Sequence, residues 1–105
     1  MRLDEIDDGG IATAEPKQKK KIEQPKLYVA VLHNDDYTPM DLVVYLLTDV
    51  FGLGEEQANL VMMQVHKKGK GIAGKFTKDI AETKVKIAME TAKKYEAPLL
   101  ITVEK

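Results

Sequence analysis

The sequence has 105 residues, which predicts a single domain, and its formal net charge of −1 provides no overall attraction to nucleic acid or membrane surfaces. Cysteine is absent, so disulfides, thiolate metal sites and a cysteine nucleophile are excluded. No apolar stretch approaches the roughly 18 residues of a membrane span, and the acidic start lacks the hydrophobic core of a signal peptide. These features favour a soluble, cytoplasmic protein. Because only 6% of the residues are aromatic, its core should be aliphatic and rich in methionine.

Residues 1–25 differ in composition from the rest of the chain. An acidic head that contains Asp4 and Glu5 is followed by paired glycines and by the basic run Lys17–Lys21, without apolar periodicity. Such a segment buries too little apolar surface to offset its ordering entropy. We therefore predict a flexible N-terminal extension over residues 1–25 and a folded core over residues 26–105. The basic run is typical of a solvated tail, but a docking or nucleic-acid role stays open.

The core alternates between strand-like and helix-like apolar patterns. The predicted elements, in chain order, are a strand over 27–32, a helix over 39–51, a helix over 55–68, a strand over 71–77, a helix over 78–95 and a strand over 99–103. We predict an α+β fold in which three helices pack on one face of a small three-stranded antiparallel sheet, in the order β-α-α-β-α-β.

Capping residues mark the ends of the first helix. Thr38 is expected to cap it, Pro39 to take its first position and Asp41 to complement the helix dipole. Gly52 is expected to end it in a left-handed conformation.

The two later helices carry similar signals. Glu55 and Glu56 open the second, which should stop at Gly69 and Gly71. Thr77 is expected to cap the third helix, whose first turn should contain Asp79 and Glu82.

The turn after the first strand carries more short polar side chains than a turn requires. These side chains and a histidine on the second helix form a pool of groups that could meet in space: His33, Asn34, Asp35, Asp36, Thr38 and His66. A metal-dependent hydrolase would use them as ligands, although their spacing matches no familiar ligand motif. A nucleic-acid module would use the lysines, although acids balance them and no aromatics interleave.

A third interpretation is recognition of an α-amino group next to an apolar side chain. Asn34 and Asp35 supply oxygen acceptors and a carboxylate for an ammonium, and a neutral His66 can accept one more hydrogen bond. Apolar residues on the two flanking helices could form the wall of a hole for the side chain, or they could be plain core: Met40, Val43, Met62 and Val65.

Several of these residues together resemble the ClpS family of protease adaptors, over about residues 27–105. The resemblance is carried by the run Asn34-Asp35-Asp36-Tyr37-Thr38-Pro39-Met40, by Met62, Val65, His66, Gly69 and Gly71, by Ala81-Glu82-Thr83-Lys84, and by Pro98-Leu99. It implies an adaptor without a cofactor or metal, and not an enzyme. Such adaptors bind N-degron substrates that start with Leu, Phe, Tyr or Trp and deliver them to the ClpA unfoldase of the ClpAP protease, which modulates its substrate choice.

The resemblance also implies roles for individual residues. Asn34, Asp35 and His66 would bind the α-amino group, Asp36 and Thr38 would shape the rim, and Met40 would disfavour β-branched first residues. Val43, Met62, Val65 and Leu99 would line the hole, with Leu32 and Ile72 near its floor or in the surrounding core. Asp79 and Lys84, with Glu82 nearby, would contact the unfoldase.

Other features of the resemblance concern the partner and the assembly. The N-domain of a ClpA or a ClpC-type AAA+ unfoldase is the expected partner, a monomer is expected, and the flexible extension would be needed for delivery. The ranking of first residues, the physiological substrates and the choice between the two unfoldases stay open.

Overall fold

The computed structural model describes residues 25–105, so the predicted N-terminal extension, apart from Pro25, lies outside the described residues. The described elements are β1 (Leu27–His33), α1 (Met40–Asp49), α2 (Glu55–Lys68), β2 (Lys70–Thr77), α3 (Lys78–Lys94) and β3 (Leu100–Glu104). The predicted order β-α-α-β-α-β is confirmed, and most element ends differ from the predicted ones by one or two residues.

Strand β1 is the centre of the three-stranded sheet, between β2 and β3, and both pairings are antiparallel. Leu32 lies opposite Gly71 of β2 and Ile101 of β3. Both Leu32 and Ile101 are fully buried. Because alternate side chains of a strand point to opposite faces, Ala30 shares the buried face with Leu32, and the helices cover this face.

The core is aliphatic, as the composition predicts, but it is not rich in methionine: among the described residues no methionine is buried, and only Met62 and Met89 pack against the core while partly exposed. All three helices and all three strands contribute to one cluster of buried side chains, which includes Leu46 and Leu47 of α1, Val61 of α2, Val85 of α3 and Ala73 of β2. Fully burying one leucine side chain contributes about 1.5–3 kcal/mol. Phe51 belongs to this cluster and Phe76 packs against it, with their ring centres 6.1 Å apart.

The start of α1 differs from the prediction by one residue. Pro39 is the N-cap residue and Met40 the first helical residue, so Thr38 does not cap the helix. Its hydroxyl instead donates to Asp35 Oδ2 over 2.7 Å. The Asp35 carboxylate lies in the same turn. Because it is charged, it is a stronger hydrogen-bond partner for the Thr38 hydroxyl than the backbone N–H groups at the start of α1 are. Asp41 lies in the first turn, as predicted.

Glycines set the ends of α1 and α2. Gly52 and Gly69 have φ values of +75° and +92°, which confirms the predicted left-handed position at Gly52 and the stop at Gly69. Gly71 then brings β2 against α2, since a Cβ there would lie 2.8 Å from Val65 Cγ2. A side chain at position 71 would therefore push on Val65.

Helix α3 starts after Thr77, which is its N-cap residue as predicted, although the Thr77 side chain makes no capping hydrogen bond, and Asp79 lies in the first turn. Glu82 is the fifth helical residue and lies in the second turn, so its placement in the first turn was wrong. Within residues 25–105, no helix is long and apolar enough to cross a membrane.

Candidate functional site

A cavity of about 180 Å³ lies where the end of β1, the start of α1, the end of α2 and the loop before β3 meet. The fold brings together residues that are up to 66 positions apart in the chain, His33 and Leu99. All ten residues that the sequence suggests for substrate binding line this cavity, together with His33: Asn34, Asp35, Asp36, Thr38, Met40, Val43, Met62, Val65, His66 and Leu99.

The cavity has an apolar end and a polar end. Val43, Val65 and Leu99 retain only 4–6% of their exposure, so they form its buried end. Asn34 and His66 are exposed, and the polar groups therefore lie at the mouth. Met40, which is 43% exposed, lies at the mouth as well. An apolar hole with polar groups at one end suits a ligand whose apolar side chain is attached to a charged or polar group.

The Asp35 carboxylate organises the turn that forms one side of the mouth. Its Oδ1 accepts hydrogen bonds from the backbone N–H groups of Tyr37 and Thr38, over 2.8 and 2.7 Å, and its Oδ2 accepts one from the Thr38 hydroxyl. Partial burial raises the pKa of Asp35, but these hydrogen bonds outweigh burial, and the net pKa lies below the usual 3.8. Asp35 is therefore a fixed negative charge at neutral pH.

Asn34 and His66 come together because the turn is tied to the end of α2. The Asn34 N–H donates to the Gly69 carbonyl over 2.9 Å, and His66 lies in the last turn of α2. Within the described part of the chain, the side chains of Asn34 and His66 make no hydrogen bond of their own. Both are thus available to a ligand at the mouth, whereas Asp35 already accepts the three hydrogen bonds described above.

His33 borders the cavity but was not predicted as a site residue. Its Nε2 lies 2.8 Å from Thr102 Oγ1, and the Thr102 hydroxyl donates to Glu104 Oε2 over 2.9 Å. Because that hydroxyl hydrogen points to Glu104, we infer that His33 Nε2 carries a hydrogen and donates to Thr102. The signal in the sequence was its position directly before Asn34.

The interpretation that Ile72 lies near the floor of the hole is wrong. Ile72 is 49% exposed and borders a different groove, with Val29 and Val31. In the pairing of β1 with β2, the register shifts between Ala30 and Val31 and passes over Ala73 of β2, which places Ile72 opposite Val31 rather than on the buried face. Leu32 is fully buried in the surrounding core, as the alternative reading allowed.

A second groove contains two of the three residues suggested for contact with a partner. Asp79 and Lys84 line it, with Asp49, Val50, Ile80, Thr83 and Ile87. Glu82 is exposed on α3 but does not border this groove. Lys84 Nζ donates to the Val50 carbonyl over 2.9 Å and lies 5.5 Å from the centre of the Phe76 ring. Lys84 therefore links α3 to the end of α1 in addition to facing the groove.

No set of metal ligands among the described residues supports the interpretation as a metal site. Among residues 25–105, no group of three or more His, Asp, Glu or Cys side chains could hold a metal ion. The Asp35 carboxylate already accepts hydrogen bonds from the backbone N–H groups of Tyr37 and Thr38 and from the Thr38 hydroxyl.

Comparison with known proteins shows consistent similarity. The ClpS family model, described as ATP-dependent Clp protease adaptor protein ClpS, matches residues 23–102. A protein from Desulforapulum autotrophicum named ATP-dependent Clp protease adapter protein ClpS is 47% identical over 89 residues, 85% of this chain and 86% of that protein. A protein of the same name from Roseobacter denitrificans is 43% identical over 105 residues, 100% of this chain and 93% of that protein.

The fold is similar to a solved structure as well. Agrobacterium tumefaciens ClpS2, solved bound to L-phenylalaninamide, superposes with a TM-score of 0.73 at 42% sequence identity. The match covers 77% of this chain and 98% of that chain. The similarity thus extends over most of the part of the chain that contains the cavity and both of its flanking helices.

Proposed function

Because the chain belongs to the ClpS family of ATP-dependent Clp protease adaptor proteins, which are substrate adaptors and not enzymes, we propose that it binds N-degron substrates in the cavity between α1 and α2. A free α-amino group binds at the polar mouth, and a bulky first side chain (Leu, Phe, Tyr or Trp) fills the apolar end. The observation that carries the proposal is that the ten predicted residues line one cavity with these two ends.

The ligand of the solved relative supports this proposal. L-phenylalaninamide, bound by Agrobacterium tumefaciens ClpS2, has a free α-amino group, a benzyl side chain and an amide in place of the carboxylate. These are the features of a first residue in a polypeptide. A cavity of about 150 Å³ can hold benzene, so the volume of about 180 Å³ here suits one aromatic ring.

The α-amino group is the charged part of the proposed ligand. Its pKa near 8 keeps it largely an ammonium at neutral pH, with three hydrogens to donate. Asp35 provides a fixed negative charge with acceptor capacity left on Oδ2. The Asn34 side-chain oxygen and a neutral His66 nitrogen provide the other two acceptors, while Asp36 and Thr38 shape the rim against the substrate backbone.

The side chain of the first residue determines which substrates enter. In the proposal it packs between Val43, Met62, Val65 and Leu99, and each buried CH₂ group contributes about 0.8 kcal/mol. Met40 at the mouth lies against the Cβ of the bound residue and disfavours β-branched residues such as Ile and Val. Methionine can adjust its shape to several bulky side chains without admitting branched ones.

Delivery to a Clp unfoldase is the second half of the proposal. Asp79 and Lys84, with Glu82 nearby, would contact the N-domain of a ClpA or ClpC-type AAA+ unfoldase, and the adaptor would act there as a cytoplasmic monomer. Asp79 and Lys84 border one groove, away from the candidate pocket. Because no residue is shared between these two sites, a bound substrate leaves the unfoldase contact accessible.

Substrate selection is tested by titrating the chain with fluorescent peptides that differ only in the first residue. We expect peptides that start with Leu, Phe, Tyr or Trp to bind, and peptides that start with Gly, Asp or Ile to bind at least about ten-fold more weakly, which corresponds to about 1.4 kcal/mol. Equal affinity for Phe and Gly as first residues would contradict the proposal. Binding that is lost on adding a chelator would instead favour a metal site.

Delivery is tested by deleting residues 1–25. Fully extended, these residues would span roughly 80 Å, which is enough to reach away from the unfoldase contact. We expect the truncated chain to bind peptides with unchanged affinity but to fail to stimulate degradation of a Phe-initiated substrate by ClpAP. If the truncation abolished peptide binding, the extension would be part of the pocket.

A further inference from the structure

The groove beside Ile72, of about 410 Å³, lies on the face of the sheet that the helices leave open. Val31 and Ile72 are paired across β1 and β2, and both line it together with Val29. Val31 is only 5% exposed but lies outside the main core cluster, whereas Ile72 is 49% exposed. The floor of the groove is therefore apolar area that no described element covers, although burying such area is favourable.

The rim of this groove is positively charged. Three exposed lysines line it: Lys68, Lys70 and Lys105. Among the lining residues only Glu104 carries a carboxylate side chain, and this carboxylate already accepts a hydrogen bond from the Thr102 hydroxyl over 2.9 Å. Residues 57–78, which include most of α2 and all of β2, contain five lysines and no acidic residue. The groove therefore suits an occupant that combines apolar side chains with negative charge.

The first eight residues of the chain, which we call the acidic head, have this composition. They contain two apolar side chains, Leu3 and Ile6, and four acidic ones against a single arginine. The acidic residues are Asp4, Glu5, Asp7 and Asp8. Because Leu3 and Ile6 are three positions apart, one helical turn would present both on the same face. A second copy of the sheet face suits the groove less well, since it would bring lysines against lysines.

The chain is long enough to bring the acidic head to the groove. Strand β1 begins at Leu27, and Val29, two residues later, already lines the groove. Residues 9–26 connect the head to Leu27 and would span roughly 60 Å when fully extended. The longest strand, β2, has eight residues and is therefore roughly 26 Å long. The head can reach any point of the open face, and the entropy of closing such a loop grows only slowly with its length.

We propose that the acidic head docks on the open sheet face of its own chain. Its apolar side chains cover Val29 and Ile72, and its carboxylates lie beside Lys68 and Lys70. Docking holds the start of the predicted extension against the core, and residues 9–26 act as the linker. The proposal rests on no part of the proposed function, since the groove and the candidate pocket share no residue.

The test uses the full-length chain with a nitroxide attached at Gly9→Cys, because the chain has no cysteine of its own. The nitroxide broadens the NMR signals of backbone amides that lie near it. The contact combines apolar burial with exposed ion pairs, which are individually weak, so we expect the signals of Val29 and Ile72 to lose about half of their intensity or more. The signal of Ile87, which lines a different groove on α3, should be retained. Equal broadening at Ile72 and Ile87 would overturn the proposal.

Charge variants of the labelled chain identify the contact. We expect the Ile72 signal to recover when the head is neutralised by Asp4→Asn, Glu5→Gln, Asp7→Asn and Asp8→Asn. It should also recover in Lys68→Gln/Lys70→Gln, because the rim loses two charges. Lys86→Gln, at an exposed position of α3, is the matched control and should leave the broadening unchanged. Broadening that persisted in both the neutral-head chain and the double lysine variant would show that charge complementarity does not direct the head.

A mixing experiment separates docking within one chain from contact between two copies. Isotope-enriched chain without nitroxide is mixed with unenriched chain that carries it. We expect no broadening at Ile72 in the mixture, because the nitroxide and the observed amide are then on different molecules. Broadening as strong as in the labelled chain itself would show that the head binds a second copy, and docking within one chain would be wrong.

Discussion

The candidate pocket and the proposed unfoldase contact differ in how their charged residues are used. In the pocket, Asn34 and His66 lie at an exposed mouth, and Asp35 holds the turn together. In the groove on α3, Asp79 is exposed, but Lys84 is partly buried and bonded to Val50. Each site thus contains one charged side chain that bonds to the fold, Asp35 or Lys84, and one exposed side chain that makes no hydrogen bond within residues 25–105. An Asp35 or Lys84 variant can therefore lose function for two reasons, a lost contact with the partner or a lost hydrogen bond within the fold. A His66 or Asp79 variant loses no such bond within residues 25–105.

The largest expected effect is on peptide binding. Together with stability, it separates Asp35, which bonds to the fold, from His66, which does not. We expect His66→Ala and Asp35→Asn each to weaken binding of a Phe-initiated peptide about ten-fold or more, because a charge-assisted hydrogen bond contributes about 1.5–3 kcal/mol. Only Asp35→Asn should also lower the urea midpoint of unfolding. Peptide titration and urea denaturation check this, with Glu90→Gln as the control. If His66→Ala kept full affinity, His66 would not contact the α-amino group.

The next effect concerns the shape of the mouth. We expect Met40→Ala to bring binding of Ile- and Val-initiated peptides to within about three-fold of Leu-initiated ones, because the truncated side chain leaves room beside a branched Cβ. Binding of Phe-initiated peptides should change little. Competition titrations with the four peptides measure this. Continued exclusion of Ile and Val would place the selecting contact elsewhere in the pocket.

A smaller effect is expected at Lys84. Lys84→Met retains most of the apolar stem but removes the hydrogen bond to the Val50 carbonyl, so we expect a loss of about 1 kcal/mol in the free energy of unfolding. Asp79→Asn removes a charge from the first turn of α3, so we expect it to lower stability by about 0.3–1 kcal/mol and to reduce the stimulation of degradation. Lys86→Met, at an exposed position of the same helix, is the matched control for stability. Equal stability of the Lys84 and Lys86 variants would show that the link to α1 is energetically neutral.

The smallest effect is the pH dependence that Asp35 provides. Its pKa is lower in the folded chain than the usual 3.8, so its contribution to stability is present above pH 3.8 and is lost as the pH falls through the lowered value. The difference in stability between the wild-type chain and Asp35→Asn should therefore shrink below about pH 4. Urea denaturation of both chains at several pH values measures it. A difference that grew on acidification would contradict the assigned direction.

The element order could be predicted from the sequence because the apolar period changes where capping residues, glycines or prolines occur, for example at Gly52, Gly69 and Pro98. Other features depend on contacts that no local pattern encodes. The sequence alone does not show whether the Thr38 side chain caps α1 or donates to Asp35. The exposed position of Ile72 follows from a register shift in the pairing of β1 with β2. The bond from Lys84 to Val50 joins residues 34 positions apart.

The residues of the candidate pocket could be predicted only from their joint pattern and not one by one. The residue types of the turn indicate an ammonium site, and the resemblance added Leu99, which no apolar period connects to the turn.

Recognition of a free α-amino group is the central claim, and competition between two small ligands tests it most directly. L-phenylalaninamide and N-acetyl-L-phenylalaninamide would each be used to displace a fluorescent Phe-initiated peptide from the full-length chain. The account predicts that the free amine displaces the peptide and that the acetylated compound, which has the same side chain but no ammonium, does so at least about ten-fold less effectively. Equal displacement by both compounds would contradict it.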